Sequence, residues 1–219
     1  MVTDRTVGSD WPPALCAVCV RILPGVDAAA LVLRGDARVQ EVVSASDAWA
    51  VLLEELQYTL GEGPAVEAYR SGGPVLVSDL HAERARWPGF AVATAEEGLA
   101  AMVAFPLQVG GIRLGTLDLY RRRPGSLSAE AVADAAVLAD LATLALLENE
   151  LAEDDHKLRM EMSYQDVHMA TGVLAAKLGI GLEDAFARLR AHAFAERRSV
   201  LDVSRDVLDQ RISPDRLVD

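Results

Sequence analysis

The stretch AMVAFPLQVGGIRLGTLDLY, residues 101–120, decides the fold of this chain. It consists of two apolar runs, 101–108 and 112–120, with Gly110-Gly111 between them. Glycine readily adopts the positive φ angles that a tight turn between two strands requires. The stretch therefore predicts an antiparallel β-hairpin.

Further strands and helices are predicted on the N-terminal side of this hairpin. Period-two and short apolar runs, which are typical of strands, occur at Ala28–Leu33, Val39–Ala45 and Pro74–Val77. Helical patterns occur at residues 13–23, 47–60 and 65–70. The mixture predicts an α+β domain over residues 11–150, in which flanking helices pack on an antiparallel sheet.

A long helix is predicted to follow this sheet. Ser128 can cap its first turn, and no proline or glycine occurs from there to Gly172, so we expect one continuous helix from Ser128 to about Ala176. Apolar residues fall seven apart within it, at Val137, Leu144, Leu151 and Leu158. That spacing favours a parallel coiled coil between two chains. In the first half of the helix we expect Val137 and Leu144 to pack on their own sheet instead.

The last third of the chain predicts a small helical bundle over residues 151–212. Lys177-Leu178-Gly179 is a typical helix end, and apolar residues follow at helical spacing within 182–195. Ser199 and Asp202 match a capping box at the start of another helix. Three helices of this length are expected to bury their apolar faces against one another.

The charge of the chain is acidic and uneven. The formal net charge is −12, which argues against bulk attraction to nucleic acid or anionic lipid. Residues 1–159 hold 13 Lys and Arg against 23 Asp and Glu, whereas residues 160–219 hold 8 against 10. A locally basic face in the last third is therefore compatible with the composition. With no signal peptide or membrane-spanning pattern in the sequence, we predict a cytoplasmic protein.

Few residues suggest chemistry. Cys16 and Cys19 form a C-x-x-C in an apolar helix, where we expect them to be buried hydrophobes; a thiol enzyme would need one of them exposed with a lowered pKa. The four histidines lack metal-ligand spacing, and His81 alone is a weak haem-ligand candidate. No nucleophile elbow or phosphate loop occurs. We predict no metal, no cofactor and no enzymatic activity.

Several segments before residue 120 resemble GAF sensor domains. They are Gly61–Ala68, Val75–Leu80, Arg86–Phe90, Phe105–Leu107 and Leu114–Leu117. The resemblance covers about residues 11–150 and implies a small-molecule or gas sensor built on an antiparallel sheet. Candidate ligand-binding residues are Trp49, Trp87, Phe90, Phe105 and Asp118. The alternative, which we favour, is that they pack the core and its loops.

The C-terminal region resembles the ANTAR module. The residues that carry the resemblance are Val167–Leu174, Leu178–Ile180, Asp184–Phe186, Leu189-Arg190, Ala193 and Asp202-Val203. It implies a three-helix RNA-binding domain that acts as a dimer on paired stem-loops in nascent transcripts and prevents termination. The implied RNA-binding residues are Ala170, Thr171, Lys177, Arg190, Arg197, Arg198 and Arg205. Thr171 stands where the family usually has lysine, which removes an expected phosphate contact.

The two resemblances together predict a cytoplasmic, signal-responsive regulator. It would form a homodimer through the connecting helix, take a small-molecule ligand on the GAF-like domain and act by transcription antitermination on tandem stem-loop RNA. The alternative is a GAF-based dimerisation or protein-docking module whose helical tail does not bind RNA.

Overall fold

An antiparallel sheet of five strands forms the centre of the first domain. The protein is described by a computed structural model that covers residues 11–35, 40–152 and 165–217. The strands are β1 (Ala28–Arg34), β2 (Gln40–Ala45), β3 (Val75–Val77), β4 (Ala101–Val109) and β5 (Ile112–Arg121). Their spatial order is β2-β1-β5-β4-β3, and every neighbouring pair is antiparallel. The α+β prediction and the hairpin at Gly110 are confirmed, and Gly110 has the positive φ of 57° that the turn requires.

Helices cover both faces of this sheet. On one face lie α1 (Trp11–Ile22) and α5 (Ala129–Ala152), and on the other lie α2 (Ala48–Leu60), α3 (Pro64–Ser71) and α4 (Pro88–Glu96). The helix α4 was not predicted, because it begins with Pro-Gly and no side chain caps its first turn. Since β-strand side chains alternate between faces, the sheet has two separate apolar layers.

Polar caps and glycines set the helix ends, and the cap at Ser128 is one that the sequence predicts. The Asp47 carboxylate accepts from the Ala50 amide at 2.8 Å, and the Ser128 hydroxyl accepts from the Ala131 amide at 3.1 Å. Gly61 ends α2 with a φ of 64°, a left-handed conformation in which a side chain would be strained. Gly61 therefore begins the turn that joins α2 to α3.

The face of α5 that packs on the sheet differs from the prediction. Val137 and Leu144 are 57% and 56% exposed, so the expectation that they pack on their own sheet is wrong. The buried face is made mainly of small side chains, at Ala131, Ala135, Ala139, Ala142 and Leu146. Small side chains allow a helix to lie close to a sheet, whereas Val137, Leu141 and Leu144 point away from it. The Leu151 side chain, Leu158 and the predicted continuity of the helix through 153–164 lie outside the described residues.

Three helices form the C-terminal bundle, as predicted. They are α6 (Gln165–Leu178), α7 (Leu182–Ala195) and α8 (Val200–Leu208), followed by a 3-10 turn at Pro214–Leu217. The Ser199 hydroxyl accepts from the Asp202 amide at 3.1 Å and caps α8. The bundle has an apolar core of its own, which also contains Tyr58 from α2. In the parts of the chain that the structure describes, no helix is long and apolar enough to cross a membrane.

We expect Gly115→Ala to lower the free energy of unfolding by about 2 kcal/mol or more, measured by chemical denaturation. Gly115 lies opposite Leu33 in the β1–β5 ladder, and a Cβ there would overlap the Val32 carbonyl oxygen. The control is Gly111→Ala, whose Cβ meets no atom within 4 Å. Equal stability of the two variants would contradict this close approach of strands.

Candidate RNA interface and sensor core

Two of the predicted RNA-binding residues are buried inside the C-terminal bundle. Ala170 is fully buried and Thr171 is 4% exposed, where α6 packs against the neighbouring helices. The Thr171 hydroxyl donates to the Val167 carbonyl oxygen at 2.6 Å within the helix. Neither side chain is open to a ligand in this arrangement, so any RNA contact depends on the surface cations.

The exposed cations of the bundle differ in their partners. Lys177 and Arg197 are exposed, and neither has an ion-pair partner within the described residues. Arg198 pairs with Asp206 at 2.7 Å. The pKa of the Asp206 carboxyl is lowered because Arg198 and Arg211 both donate hydrogen bonds to it. Arg205 pairs with Asp166 at 3.0 Å and lies 3.9 Å from Asp202. Of these four cations, Lys177 and Arg197 therefore have no acidic partner within the described residues, and Arg198 and Arg205 are paired with aspartates.

Arg190 contacts the first domain. Its Nε donates to the Thr59 carbonyl oxygen at 2.7 Å, in the last turn of α2. The guanidinium also lies 5.6 Å from the centre of the Phe186 ring. Burial, followed by the nearby charge of Arg70, lowers the pKa of Arg190. Arginine nevertheless stays charged near neutral pH, because its ordinary pKa is above 12.

Further contacts join α2 to the bundle. The rings of Tyr58 and Phe186 pack with centroids 5.8 Å apart, and Tyr58 is 5% exposed. The Val200 amide at the start of α8 donates to the Thr59 hydroxyl at 3.3 Å. Sequence reasoning missed this interface, because the pattern of α2 predicts one apolar face toward its own sheet and gives no signal for a second partner.

A cavity of about 450 Å³ lies beside this interface. Its walls come from α2, α4 and the turn between α7 and α8, and they are mostly apolar. They include Leu52, Leu56, Leu60, Val92, Ala93 and Phe194, with Glu55, Glu96, Arg197 and Arg198 among the polar residues. Glu55 is half-buried here, and burial, with a smaller contribution from Asp202, raises its pKa. The charge of an ANTAR carboxylate therefore acts on a carboxyl of the GAF domain.

The other side of α2 contributes to a buried polar cluster. Glu54 accepts from the Arg34 guanidinium at 2.8 Å and from the amide of Gln57 at 3.2 Å, and the Tyr120 hydroxyl also donates to it. Thr116 donates to one carboxyl oxygen of Asp118 at 2.7 Å. The other oxygen of Asp118 has no hydrogen-bond partner within the described residues. Burial, followed by the nearby charge of Glu54, raises the pKa of Asp118 well above its usual range.

The predicted ligand-binding residues separate into two groups. Trp87 and Phe90 are buried in the apolar layer that lies on the Asp118 side of the sheet. Trp49 is half-buried in the same layer and donates to the Glu97 carbonyl oxygen at 2.9 Å. Phe105 lies on the opposite face, under α1 and α5. Four of the five residues therefore lie on one face of the sheet, and Phe105 lies on the other.

The two cysteines lack the features of reactive thiols. Cys16 and Cys19 are both fully buried. Burial raises the pKa of Cys16, and it raises the pKa of Cys19 to about 12. Because the thiolate is the nucleophile, these shifts oppose thiol chemistry. No group of three or more potential metal-ligating side chains occurs within residues 11–35, 40–152 and 165–217.

Comparison with known families agrees with both parts of this description. Residues 13–147 match the GAF domain and residues 159–208 match the ANTAR domain. The chain belongs to the GAF family and ends in an ANTAR domain. This architecture fits a signal-responsive, RNA-binding antitermination regulator in general. No curated protein matches the chain.

Solved structures similar to the GAF domain share its fold at low sequence identity. A domain of a protein assigned as a two-component sensor histidine kinase of Sinorhizobium meliloti 1021 is 17% identical, with 68% of this chain and 94% of that chain covered and a TM-score of 0.52. GAF3 of Slr1393 from Synechocystis sp. PCC6803, in its photoproduct state, is also 17% identical, with 64% and 92% covered and a TM-score of 0.50. These similarities show the fold alone.

We expect the stability of the GAF domain to fall with rising pH because of Asp118. Its raised pKa means that the folded protein keeps a proton that the unfolded chain releases above about pH 4. The free energy of unfolding then declines by up to about 1.4 kcal/mol per pH unit until the folded carboxyl also ionises. Asp118→Asn removes this proton, so its stability relative to wild type should increase as the pH rises above about 4 in denaturation experiments.

Asp134→Asn, an exposed site on α5, serves as the control for that comparison. A stability difference between Asp118→Asn and wild type that does not change with pH would show that the Asp118 carboxyl is not held protonated in the folded protein.

Proposed function

We propose that this protein binds tandem stem-loop RNA as a homodimer in the cytoplasm and prevents transcription termination in response to a signal on its GAF domain. The observation that carries the proposal is that Lys177 and Arg197, two exposed cations of the ANTAR bundle in an acidic chain, have no acidic partner within the described residues. An exposed cation without an acidic partner is available for a phosphate, and phosphate contacts supply most of the affinity for nucleic acid.

The paired cations can join this surface when RNA binds. Arg198 and Arg205 form ion pairs at the protein surface, and such pairs contribute only about 0–1 kcal/mol each. An RNA phosphate offers arginine a similar bidentate partner with higher local charge. RNA binding therefore exchanges weak internal pairs for phosphate contacts.

An exposed apolar stripe on α5 supports the proposed homodimer. Val137, Leu141 and Leu144 are spaced four and three residues apart, so they lie on one face of the helix, and each is more than half exposed. Two such stripes bury each other if α5 packs against the same helix of a second chain. A dimer formed there carries two ANTAR domains, one for each stem-loop.

The signal is proposed to be a small molecule taken up by the GAF domain. The unpartnered oxygen of Asp118 lies in a buried polar cluster beside Glu54. Buried polar atoms normally have hydrogen-bond partners, so a protonated Asp118 can hold a ligand group through this oxygen. Glu54 belongs to α2, and the cluster is therefore linked to the helix that contacts the ANTAR domain.

A second candidate function is a dimerisation or docking module that does not bind RNA. The burial of Ala170 and Thr171 favours it, because two of the expected contact positions are closed. The two candidates differ in one measurable property, which is affinity for tandem stem-loop RNA.

We expect Lys177→Ala and Arg197→Ala each to weaken binding of tandem stem-loop RNA from the protein's own transcript leader by about three- to tenfold. Each substitution removes one phosphate contact, so the slope of log affinity against log salt should also decrease by about one. The measurement is a fluorescence binding titration at several salt concentrations. The matched control is Arg123→Ala, which removes an exposed cation from the GAF domain.

Single-hairpin RNA and duplex DNA of equal length complete this experiment. Equal affinity of the wild-type protein for all three nucleic acids, or equal effects of the Arg123 and Arg197 variants, would favour the docking module over the antitermination regulator.

We expect Leu144→Glu to raise the dimer dissociation constant by tenfold or more, measured by sedimentation velocity. A carboxylate within the apolar stripe must be desolvated when two helices pack together. The control is Leu76→Glu, the same substitution at a leucine of similar exposure on β3. If both variants dimerise like the wild type, the stripe on α5 is not the dimer interface.

A further inference from the structure

We infer that the last turn of α2 and RNA compete for Arg190, so that the docked arrangement is the RNA-free form of the protein. The inference rests on the proposed function and adds its regulation. It assigns to the end of α2 a docking surface, formed by Tyr58, Thr59 and Gly61, whose occupant is the ANTAR domain of the chain.

Thr59 takes part in a hydrogen bond at a helix end in each domain. Its carbonyl belongs to the last turn of α2, where carbonyl groups lack partners within the helix and the helix dipole is negative. Arg190 of the ANTAR domain supplies the missing donor at 2.7 Å. The Val200 amide lies in the first turn of α8, where amides lack partners, and the Thr59 hydroxyl accepts from it at 3.3 Å. Each domain therefore supplies a partner for a helix end of the other.

Apolar contact extends the docking surface beyond these two hydrogen bonds. Tyr58 is a GAF residue, yet it lies in the apolar core of the ANTAR domain and packs on Phe186. Phe186 is also the ring over which the Arg190 guanidinium lies. The side chain of Arg190 is thus held between Phe186 and the end of α2, and its release removes both the hydrogen bond to Thr59 and the contact with the Phe186 ring.

The position of Arg190 makes its contact with Thr59 and a contact with RNA mutually exclusive. Its Nε is used by Thr59, and burial limits access to the rest of the guanidinium. A bond to an anionic phosphate is stronger than a bond to a neutral carbonyl oxygen, so RNA can draw Arg190 away only if the domains separate. The apparent RNA affinity is therefore the affinity of the open form multiplied by the fraction of molecules that are open.

Gly61 provides a variant that opens this contact from the GAF side. A Cβ at Gly61 would overlap the Arg190 guanidinium, so Gly61→Ala expels that side chain while leaving every ANTAR residue unchanged. The matched control is Gly98→Ala. Gly98 is also a GAF glycine that follows a helix, with a φ of +73° against +64° at Gly61, and the nearest atom to its Cβ, on Arg122, is at an ordinary 3.7 Å. Both variants carry the same backbone strain.

The experiment measures two properties of the full-length variants. Small-angle scattering reports whether the domains separate, and a binding titration reports affinity for the tandem stem-loop RNA of the transcript leader. We expect Gly61→Ala to enlarge the radius of gyration of the free protein and to bind this RNA at least tenfold more tightly than wild type and Gly98→Ala. Arg190→Ala should also separate the domains, but it should bind RNA several-fold more weakly than Gly61→Ala.

Each other result decides against the inference in a distinguishable way. If Gly61→Ala separates the domains without raising RNA affinity, or leaves them docked, the competition is overturned while the proposed function stands. If the Gly61 and Arg190 variants bind RNA equally, Arg190 is not an RNA contact and the competition is overturned. If wild type and all variants fail to bind the RNA at low salt, the proposed function falls and the competition falls with it.

Discussion

The two hydrogen bonds of Thr59 are the interaction on which the arrangement of the two domains depends. A helix leaves carbonyl groups unpaired at one end and amides unpaired at the other. Here the carbonyl oxygen and the hydroxyl of Thr59 in α2 accept hydrogen bonds from the ANTAR domain. The donors are the Arg190 guanidinium and the Val200 amide. If the domains separate, each of these groups must find water or another partner.

The helix α2 belongs to both domains, and this gives the sensor a route to the RNA-binding region. One side of α2 places Glu54 and Gln57 in the buried polar cluster with Arg34. The end of the same helix carries Tyr58 and Thr59 into the ANTAR interface. Packed helices move as units, and we propose that a ligand bound at the cluster would shift the docking surface through α2. The connecting helix α5 has a different proposed role, which is to pair two chains through its exposed stripe.

Local signals in the sequence predicted most of the fold, and non-local contacts explain what was missed. The glycine turn at Gly110, the cap at Ser128 and the three ANTAR helices follow from residue type and spacing alone. The face of α5 that packs on the sheet was predicted wrongly, because large apolar side chains were expected there, whereas alanines make most of the buried face. The role of Arg190 depends on Thr59, 131 residues away in the chain, and no pattern within α7 reveals that partner.

The most direct test of the account is hydrogen exchange at the Val200 amide of the wild-type protein, with and without saturating tandem stem-loop RNA. In the docked form this amide donates across the domain interface to Thr59, and its exchange should be slow. RNA binding should release it, so its exchange should speed up while the amides in the middle of the β4–β5 ladder keep their protection. An RNA complex in which Val200 remains as protected as in the free protein would contradict the account.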